Sequence, residues 1–201
     1  DGDGDVSAGS ATQQITVTDT VPVLGTPDDG ALDEQFLATG SNPDASQREV
    51  SGMLYLTPGE DDVDVTITTT IPPAGLSSGN VDLIYELSPD KHTLTARKGV
   101  GGDTVFIVTL TDPTSALAGY TFELLGPIDH DGATSLDLTF GVEARDSDGD
   151  TSVADFTITV ADDAPVATLT RNIDEDSTGD SFTLSADLTA ANTTVTQGGL
   201  P

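Results

Sequence analysis

The chain has no cysteine, and its 201 residues include only six Lys and Arg together. Without cysteine it has no disulfides, no thiolate metal sites and no cysteine nucleophile. The few basic residues face 35 Asp and Glu, and the net charge of −29 argues against nucleic acid or an anionic membrane as a partner. No apolar run is long enough to span a bilayer, so we also expect no direct insertion into a membrane.

Residues that usually carry catalysis are scarce too. The two histidines are His92 and His130, and we expect the His130 ring to bond a neighbouring backbone group. The chain has no Gly-x-Ser-x-Gly elbow, no phosphate-binding loop and no His-Glu-x-x-His motif. Paired carboxylates can cleave glycosides, but aromatic platforms for a sugar chain are few, with no Trp and three Tyr. We predict that the protein is not an enzyme.

Aspartate, in contrast, is abundant. Seven of the 35 acidic residues are Glu and the other 28 are Asp. Asp suits turns and cation coordination, whereas Glu is the better residue for helix surfaces. A solvated surface would explain the same negative charge. The positions of the aspartates therefore carry more information than their number.

One order of motifs occurs twice in the chain. Residues 146–166 contain the acidic turn Asp-Ser-Asp-Gly-Asp, an alternating strand and an acidic exit with Pro165. Near the start, residues 1–5 read Asp-Gly-Asp-Gly-Asp, and a short strand around Ile15 leads to Pro22. The two prolines are 143 positions apart. This spacing predicts a repeat unit in an array of similar modules.

The repeat also predicts the domain organisation. We expect one β-sandwich module over residues 21–165. Residues 1–20 would be the end of a preceding repeat or a first strand. Residues 166–201 would begin the next repeat and be partly flexible.

Within the module, apolar residues alternate with polar ones in many short runs. This period is followed by three runs: Val63, Val65, Ile67, Thr69 and Ile71; Leu136, Leu138, Phe140, Val142 and Ala144; and Phe156, Ile158 and Val160. Such alternation places one face of a strand inward and the other outward. Gly- and Pro-rich stretches separate the runs. We predict roughly eight or nine strands in an all-β fold, an antiparallel Ig-like or cadherin-like β-sandwich with extended loops.

These motifs resemble the long repeats of large type I-secreted RTX adhesins, the T1SS-143 class. The resemblance rests on the turn at residues 146–150 with the exit at 162–165, and on further segments that match across most of the chain: 32–34, 51–54, 105–110 and 120–130. It implies an extracellular, cell-surface protein that contributes to bacterial adhesion and biofilm formation. The glycine-rich nonapeptide of RTX β-helices is absent from this sequence, and in a full-length adhesin it would lie elsewhere.

The acidic turn is the first candidate metal site. Asp146, Asp148 and Asp150 lie two positions apart, so that their carboxylates can converge on one hard cation, for which we predict Ca2+. Gly149 gives the turn the backbone freedom to curl. The same pattern occurs at the start of the chain, in Asp1, Asp3 and Asp5. An acidic hairpin turn that binds nothing is the alternative.

A second candidate site would lie where modules meet. Asp19 and the pair Asp162 and Asp163 each come shortly before a proline, and Asp33 and Glu34 open the following unit. Ca2+ bridging carboxylates from both sides of such a linker would lock adjacent repeats of the same chain into a stiff rod. Solvated linker charge is the alternative. Residues 60–64 form a third acidic cluster, which we expect to be solvated.

Two functions remain open, and they belong to different classes. In the first, the module is a structural extender, one bead of a calcium-stiffened stalk. In the second, it is a dedicated ligand-binding module near the adhesin tip, where bound Ca2+ helps to grip a host or microbial surface peptide or glycan. In some RTX adhesins dedicated modules hold ligands in this way, and the residues expected to take that role here are Asp129 and Asp131.

Overall fold

The computed structural model describes residues 13–16, 18–68 and 75–163, together with the backbone of two later strands. Almost all regular structure in these residues is β, which confirms the predicted all-β fold. Two single-turn 3-10 helices, Glu34–Phe36 and Ala45–Gln47, are the exceptions in the described residues. The strands are β1 (Val23–Leu24), β2 (Gly30–Asp33), β3 (Glu49–Met53), β4 (Leu56–Thr57), β5 (Val63–Ile67), β6 (Ser77–Ser78), β7 (Val81–Leu87), β8 (Thr93–Lys98), β9 (Thr104–Thr111), β10 (Gly119–Leu124), β11 (Ser135–Asp146), β12 (Thr151–Ala161), β13 (Ala167–Arg171) and β14 (Phe182–Ala186).

Two sheets form the sandwich. One has six strands in the order β3-β10-β9-β8-β7-β6, and the other has four in the order β2-β12-β11-β5. Neighbouring strands are antiparallel, except that β2 runs parallel to β12. The short strands β1 and β4 pair with each other, as do β13 and β14.

The core lies between the two sheets because the alternating runs turn one face inward. On β11, the side chains of Leu138, Phe140 and Val142 are completely buried. Phe140 contacts two rings of the opposite sheet, with ring centroids 6.1 Å from Phe106 and 6.0 Å from Phe122. Aromatic contacts of this kind add to the free energy gained by burying apolar area. The predicted alternation is therefore confirmed on this strand.

The first part of the chain differs from the expectation. Residues 13–16 form no strand, and the Ile15 side chain is 80% exposed. The predicted strand around Ile15 was wrong, because two alternating residues specify a strand only where a sheet edge accepts them. The first strands of the described chain are instead β1 and β2, and neither lies in one of the alternating runs. Each finds its partner far along the chain, in β4 and β12 respectively.

In the described part of the chain, no helix is both long enough and apolar enough to cross a membrane.

Candidate metal sites

The long hairpin of β11 and β12 sets the positions of two acidic clusters. Its strands pair over eleven residues, from Ser135 opposite Ala161 to Arg145 opposite Thr151. At 3.2–3.4 Å per residue, the turn and the open end are about 30–35 Å apart. Each end carries three side chains whose ligand atoms lie within 4.8 Å of one another.

The turn itself is closed by Asp146. Its side chain is only 5% exposed, and its Oδ1 accepts the backbone N–H groups of Gly149 at 3.0 Å and Asp150 at 2.7 Å. Gly149 has a φ of 111°, which glycine adopts without strain. The second carboxylate oxygen, Oδ2, is buried and has no hydrogen-bond partner among the described residues.

At the turn, the cluster consists of Asp19, Asp148 and Asp150, and we name it the turn cluster. Asp148 and Asp150 were predicted to act with Asp146, but Asp146 points into the turn and Asp19 takes its place. Asp19 lies here because its neighbours are attached to the sandwich. The hydroxyl of Thr20 accepts the Glu60 N–H at 3.1 Å, and the Leu24 N–H donates to Ser152 Oγ at 3.1 Å.

Hydrogen bonding, burial and the repulsion between neighbouring carboxylates together shift the pKa values of the acidic groups at the turn. A hydrogen bond with the Asp146 carboxyl, then burial and the neighbouring carboxylates, raise the pKa of Asp148 to about 6. Burial and the charge of Asp19 raise the pKa of Asp150. Burial alone would raise the pKa of Asp146 as well, but the hydrogen bonds that it receives hold it below the ordinary value. A divalent cation would relieve this repulsion, and a set of carboxylate oxygens suits a hard cation.

At the open end of the hairpin, Glu34, His130 and Asp162 come together, and we name them the exit cluster. Glu34 begins the first 3-10 helix and is 4% exposed. Its Oε1 accepts the Ile128 N–H at 2.7 Å. The Asp162 N–H donates to the Thr134 carbonyl at 3.0 Å, which holds the end of β12 against the loop that carries His130.

The His130 ring is the unusual member of this cluster. Its side chain is 3% exposed, and its Nε2 lies 3.4 Å from Glu34 Oε1. Neither ring nitrogen has a hydrogen-bond partner among the described residues. The expectation that this ring bonds a neighbouring backbone group is therefore not met. The backbone carbonyl of His130 accepts a local hydrogen bond from the Ala133 N–H at 2.9 Å.

Burial controls the protonation of the exit cluster. It raises the pKa of Glu34 to about 8. The hydrogen bond from the Ile128 N–H lowers this pKa, whereas the charges of Asp162, Asp163 and Asp129 raise it further. Burial also lowers the pKa of His130, although Asp162 and Asp129 act in the opposite direction. Both buried groups thus favour their neutral forms at neutral pH.

Two other predicted ligands, Asp33 and Asp163, accept hydrogen bonds from protein groups. Asp33 caps the first 3-10 helix: its Oδ1 and Oδ2 accept from the backbone and side-chain nitrogens of Gln35 at 2.8 and 2.7 Å. Asp163 accepts from the backbone N–H and the hydroxyl of Ser41 at 2.7 and 2.6 Å. Both carboxylates therefore organise loops. Asp1, Asp3 and Asp5 lie outside the described residues.

The residues assigned to ligand binding, Asp129 and Asp131, lie in the loop before β11. Asp129 accepts the Ser77 hydroxyl at 2.6 Å and the N–H groups of Gly79 and Asn80 at 2.8 and 2.7 Å. Burial alone would raise its pKa, but these three bonds hold it below the ordinary value. Asp131 is exposed and has a φ of 50°, in the turn that follows His130.

In the third acidic cluster, residues 60–64, the half-buried Asp64 accepts from a side chain in the turn that precedes β8. Its Oδ1 lies 2.9 Å from Nε2 of His92, whose Nδ1 lies 3.7 Å from Asp90. This arrangement is a partly exposed surface ion pair, and such pairs contribute little to stability.

Sequence reasoning did not associate Asp19 with the turn or His130 with Glu34 and Asp162. No short-range pattern carries these associations, because Asp19 lies 129 residues from Asp148, and His130 lies 96 residues from Glu34 and 32 from Asp162. Comparisons of the chain with protein-family models, with curated proteins and with solved structures give no match.

Proposed function

We propose that this chain is a Ca2+-binding β-sandwich module of a secreted, cell-surface adhesin, and that it contributes to bacterial adhesion and biofilm formation as a structural extender. The module would be one bead of a stalk, and its partners would be the adjacent repeats of the same chain.

One observation carries the extender role. The incoming segment reaches the sandwich at Asp19, beside the turn of the β11–β12 hairpin. The chain leaves β12 at Asp162, at the opposite end of the same hairpin. When the chain enters a module at one end and leaves it at the opposite end, modules joined in series lie end to end and their lengths add. This is the geometry that a stalk requires.

The turn cluster supports calcium as the ion. It offers carboxylate oxygens from the incoming segment and from the hairpin turn, and Ca2+ takes six to eight oxygen ligands in flexible geometry. Oδ2 of Asp146, which is buried and has no hydrogen-bond partner among the described residues, lies in the same turn. A bound ion would tie the incoming segment to the sandwich and replace repulsion with attraction. It would serve the purpose that disulfides serve in other extracellular modules.

We favour this role over a ligand-binding module. The residue assigned to ligand capture, Asp129, already accepts three hydrogen bonds that join its loop to residues 77–80. One depression on the described surface, of about 580 Å³, is open and is lined by Asp62, Asp64 and Arg145 among others. An enclosed, mostly apolar pocket is the usual form of a small-ligand site.

Calorimetric melting of the chain in EDTA, in millimolar Ca2+ and in millimolar Mg2+ tests the proposal. We expect a rise in Tm that is specific to calcium, because the ion binds the folded state. Equal Tm values in all three buffers would reject the calcium role.

A matched pair of variants assigns the rise to the turn. Asp148→Asn removes a carboxylate from the turn cluster and should abolish most of the calcium-dependent rise. Asp155→Asn removes the same charge from an exposed position on β12, five residues beyond the turn, and should keep the rise. If both variants behave alike, the ion binds elsewhere.

A further inference from the structure

The exit cluster differs from the turn cluster in its chemistry. It combines an imidazole with two carboxylates, and two of its three side chains, Glu34 and His130, are buried. Ca2+ takes oxygen ligands, whereas imidazole together with carboxylate suits Zn2+ and related transition metals. The two ends of the hairpin therefore offer sites for two different kinds of ion.

The His130 ring supplies an independent indication of a ligand. A buried polar group without a partner destabilises the folded state, and both nitrogens of this ring lack a partner among the described residues. The ring nevertheless points its Nε2 at Glu34, 3.4 Å from Oε1. That distance is long for a hydrogen bond, whose N···O separation is typically about 2.7–3.2 Å.

The same distance fits a shared metal ion. Zn–N and Zn–O bonds are about 2.0–2.2 Å long, so two ligands of a tetrahedral zinc lie about 3.3–3.5 Å apart. All three ligand atoms of the cluster lie within 4.8 Å of one another. A small closure at the exposed Asp162 would complete a three-ligand site with one position open to water.

The surroundings hold the ligands in place and favour a cation. The Ile128 N–H orients the Glu34 carboxylate, and the backbone bond from Asp162 to Thr134 fixes the third ligand next to the His130 loop. Such outer contacts are typical of metal sites. The carboxylates of Asp129 and Asp163 add further negative charge around Glu34.

We propose that Glu34, His130 and Asp162 form a binding site for one divalent transition-metal ion of the Zn2+ type. The ion links the first 3-10 helix, the loop before β11 and the end of β12. It thus fastens the start of the module to the point where the chain leaves it. This site uses different residues and a different metal ion from the calcium site that we propose at the turn cluster.

Zinc binding to the whole chain, measured by competition with a chromophoric zinc indicator in excess Ca2+, tests the proposal. The excess calcium occupies carboxylate sites that prefer it. We expect one zinc ion to bind, and its affinity to fall at least tenfold in both His130→Gln and Asp162→Asn. Asp162 is exposed, so its variant keeps the test valid if the buried substitution prevents folding.

The second histidine provides the matched control. His92 lies beside Asp64 and Asp90 at the surface, where zinc could bind adventitiously. His92→Gln should keep the wild-type affinity, and zinc should shift the ring nitrogen NMR signals of His130 but not those of His92. Loss of binding in His92→Gln alone, wild-type affinity in Asp162→Asn, or no binding at micromolar zinc would each overturn the proposal. The calcium-dependent Tm of Asp162→Asn should be unchanged, so the two proposals fail separately.

Discussion

The rings of Tyr120 and Phe156 are stacked across the two sheets, with centroids 3.8 Å apart and planes inclined by 10°. Tyr120 belongs to β10 of the six-stranded sheet, and Phe156 to β12 of the four-stranded sheet. The Tyr120 hydroxyl reaches beyond this contact and donates to the Asp28 carbonyl at 2.7 Å. The pair therefore joins both sheets and the segment between β1 and β2.

The hydroxyl of Tyr120 should contribute to stability. We expect Tyr120→Phe to lower the free energy of unfolding by about 0.5–1.5 kcal/mol, because one intramolecular hydrogen bond is lost. Urea denaturation measures the change. Tyr55→Phe is the control: its hydroxyl also bonds Asp28, at Oδ1, but the side chain is 52% exposed, so we expect a change within about 0.5 kcal/mol. Equal losses in both variants would contradict the role of the inner bond.

Gly52, on β3, leaves the space that the Tyr120 ring occupies. A Cβ at this position would lie 2.6–2.7 Å from Cε1, Cζ and the hydroxyl oxygen of Tyr120. The ring cannot move away freely because Phe156 lies against it. We expect Gly52→Ala to destabilise the fold by about 1–3 kcal/mol through overpacking. Ser51→Ala changes the exposed neighbouring residue and should have little effect in the same urea titration. If Gly52→Ala leaves the free energy of unfolding unchanged, the Tyr120 ring can move aside and the expected overpacking does not occur.

Asp19 should matter to calcium as much as the turn does, although it is 129 residues from Asp148 in sequence. We expect Asp19→Asn to remove at least half of the calcium-dependent rise in Tm, because its carboxylate belongs to the turn cluster. Calorimetry in EDTA and in Ca2+ measures the rise. Glu60→Gln removes one negative charge from the neighbouring exposed loop. This variant should keep the calcium-dependent rise in Tm. The same loss in both variants would indicate a general effect of charge.

The buried Glu34 should make metal-free stability depend on pH. Its folded-state pKa is raised to about 8 from an ordinary value of 4.5. Between these values the unfolded chain releases the proton and the folded chain keeps it, so stability falls as pH rises, by up to about 1.4 kcal/mol per pH unit. Gln does not titrate. In EDTA, Glu34→Gln should therefore gain stability relative to wild type from pH 5 to pH 8.

Urea denaturation at pH 5, 6.5 and 8 measures this difference. His130 is present in both proteins, so its own titration largely cancels in the comparison. The exposed Glu60→Gln variant controls for the loss of a surface carboxylate. A difference between wild type and Glu34→Gln that stays constant across the three pH values would mean that Glu34 is ionised in the folded protein.

Much of the fold could be predicted from local patterns. The alternation through Val63, Val65 and Ile67 corresponds to β5, and the alternation in residues 136–144 lies within β11. The acidic turn at residues 146–150 marks the end of β11, whereas Thr69 and Ile71 of the first run lie outside the described residues. The parallel β2 was missed, because a four-residue strand with a single buried apolar residue, Leu32, carries almost no period.

The sequence by itself determined that this chain forms β-strands with one apolar face, and that its aspartates concentrate in turns and at strand ends. Both properties are local: the period of a strand and the preference of Asp for turns act over a few residues. Only the tertiary structure decided which acidic groups meet. Asp146 turns inward to close its own turn, Asp19 arrives from the other end of the chain, and His130 joins Glu34 and Asp162. These contacts depend on the order of the strands in the sheets and on hydrogen bonds that hold loops to distant parts of the chain. The spacing of residues along the sequence shows neither the strand order nor these hydrogen bonds.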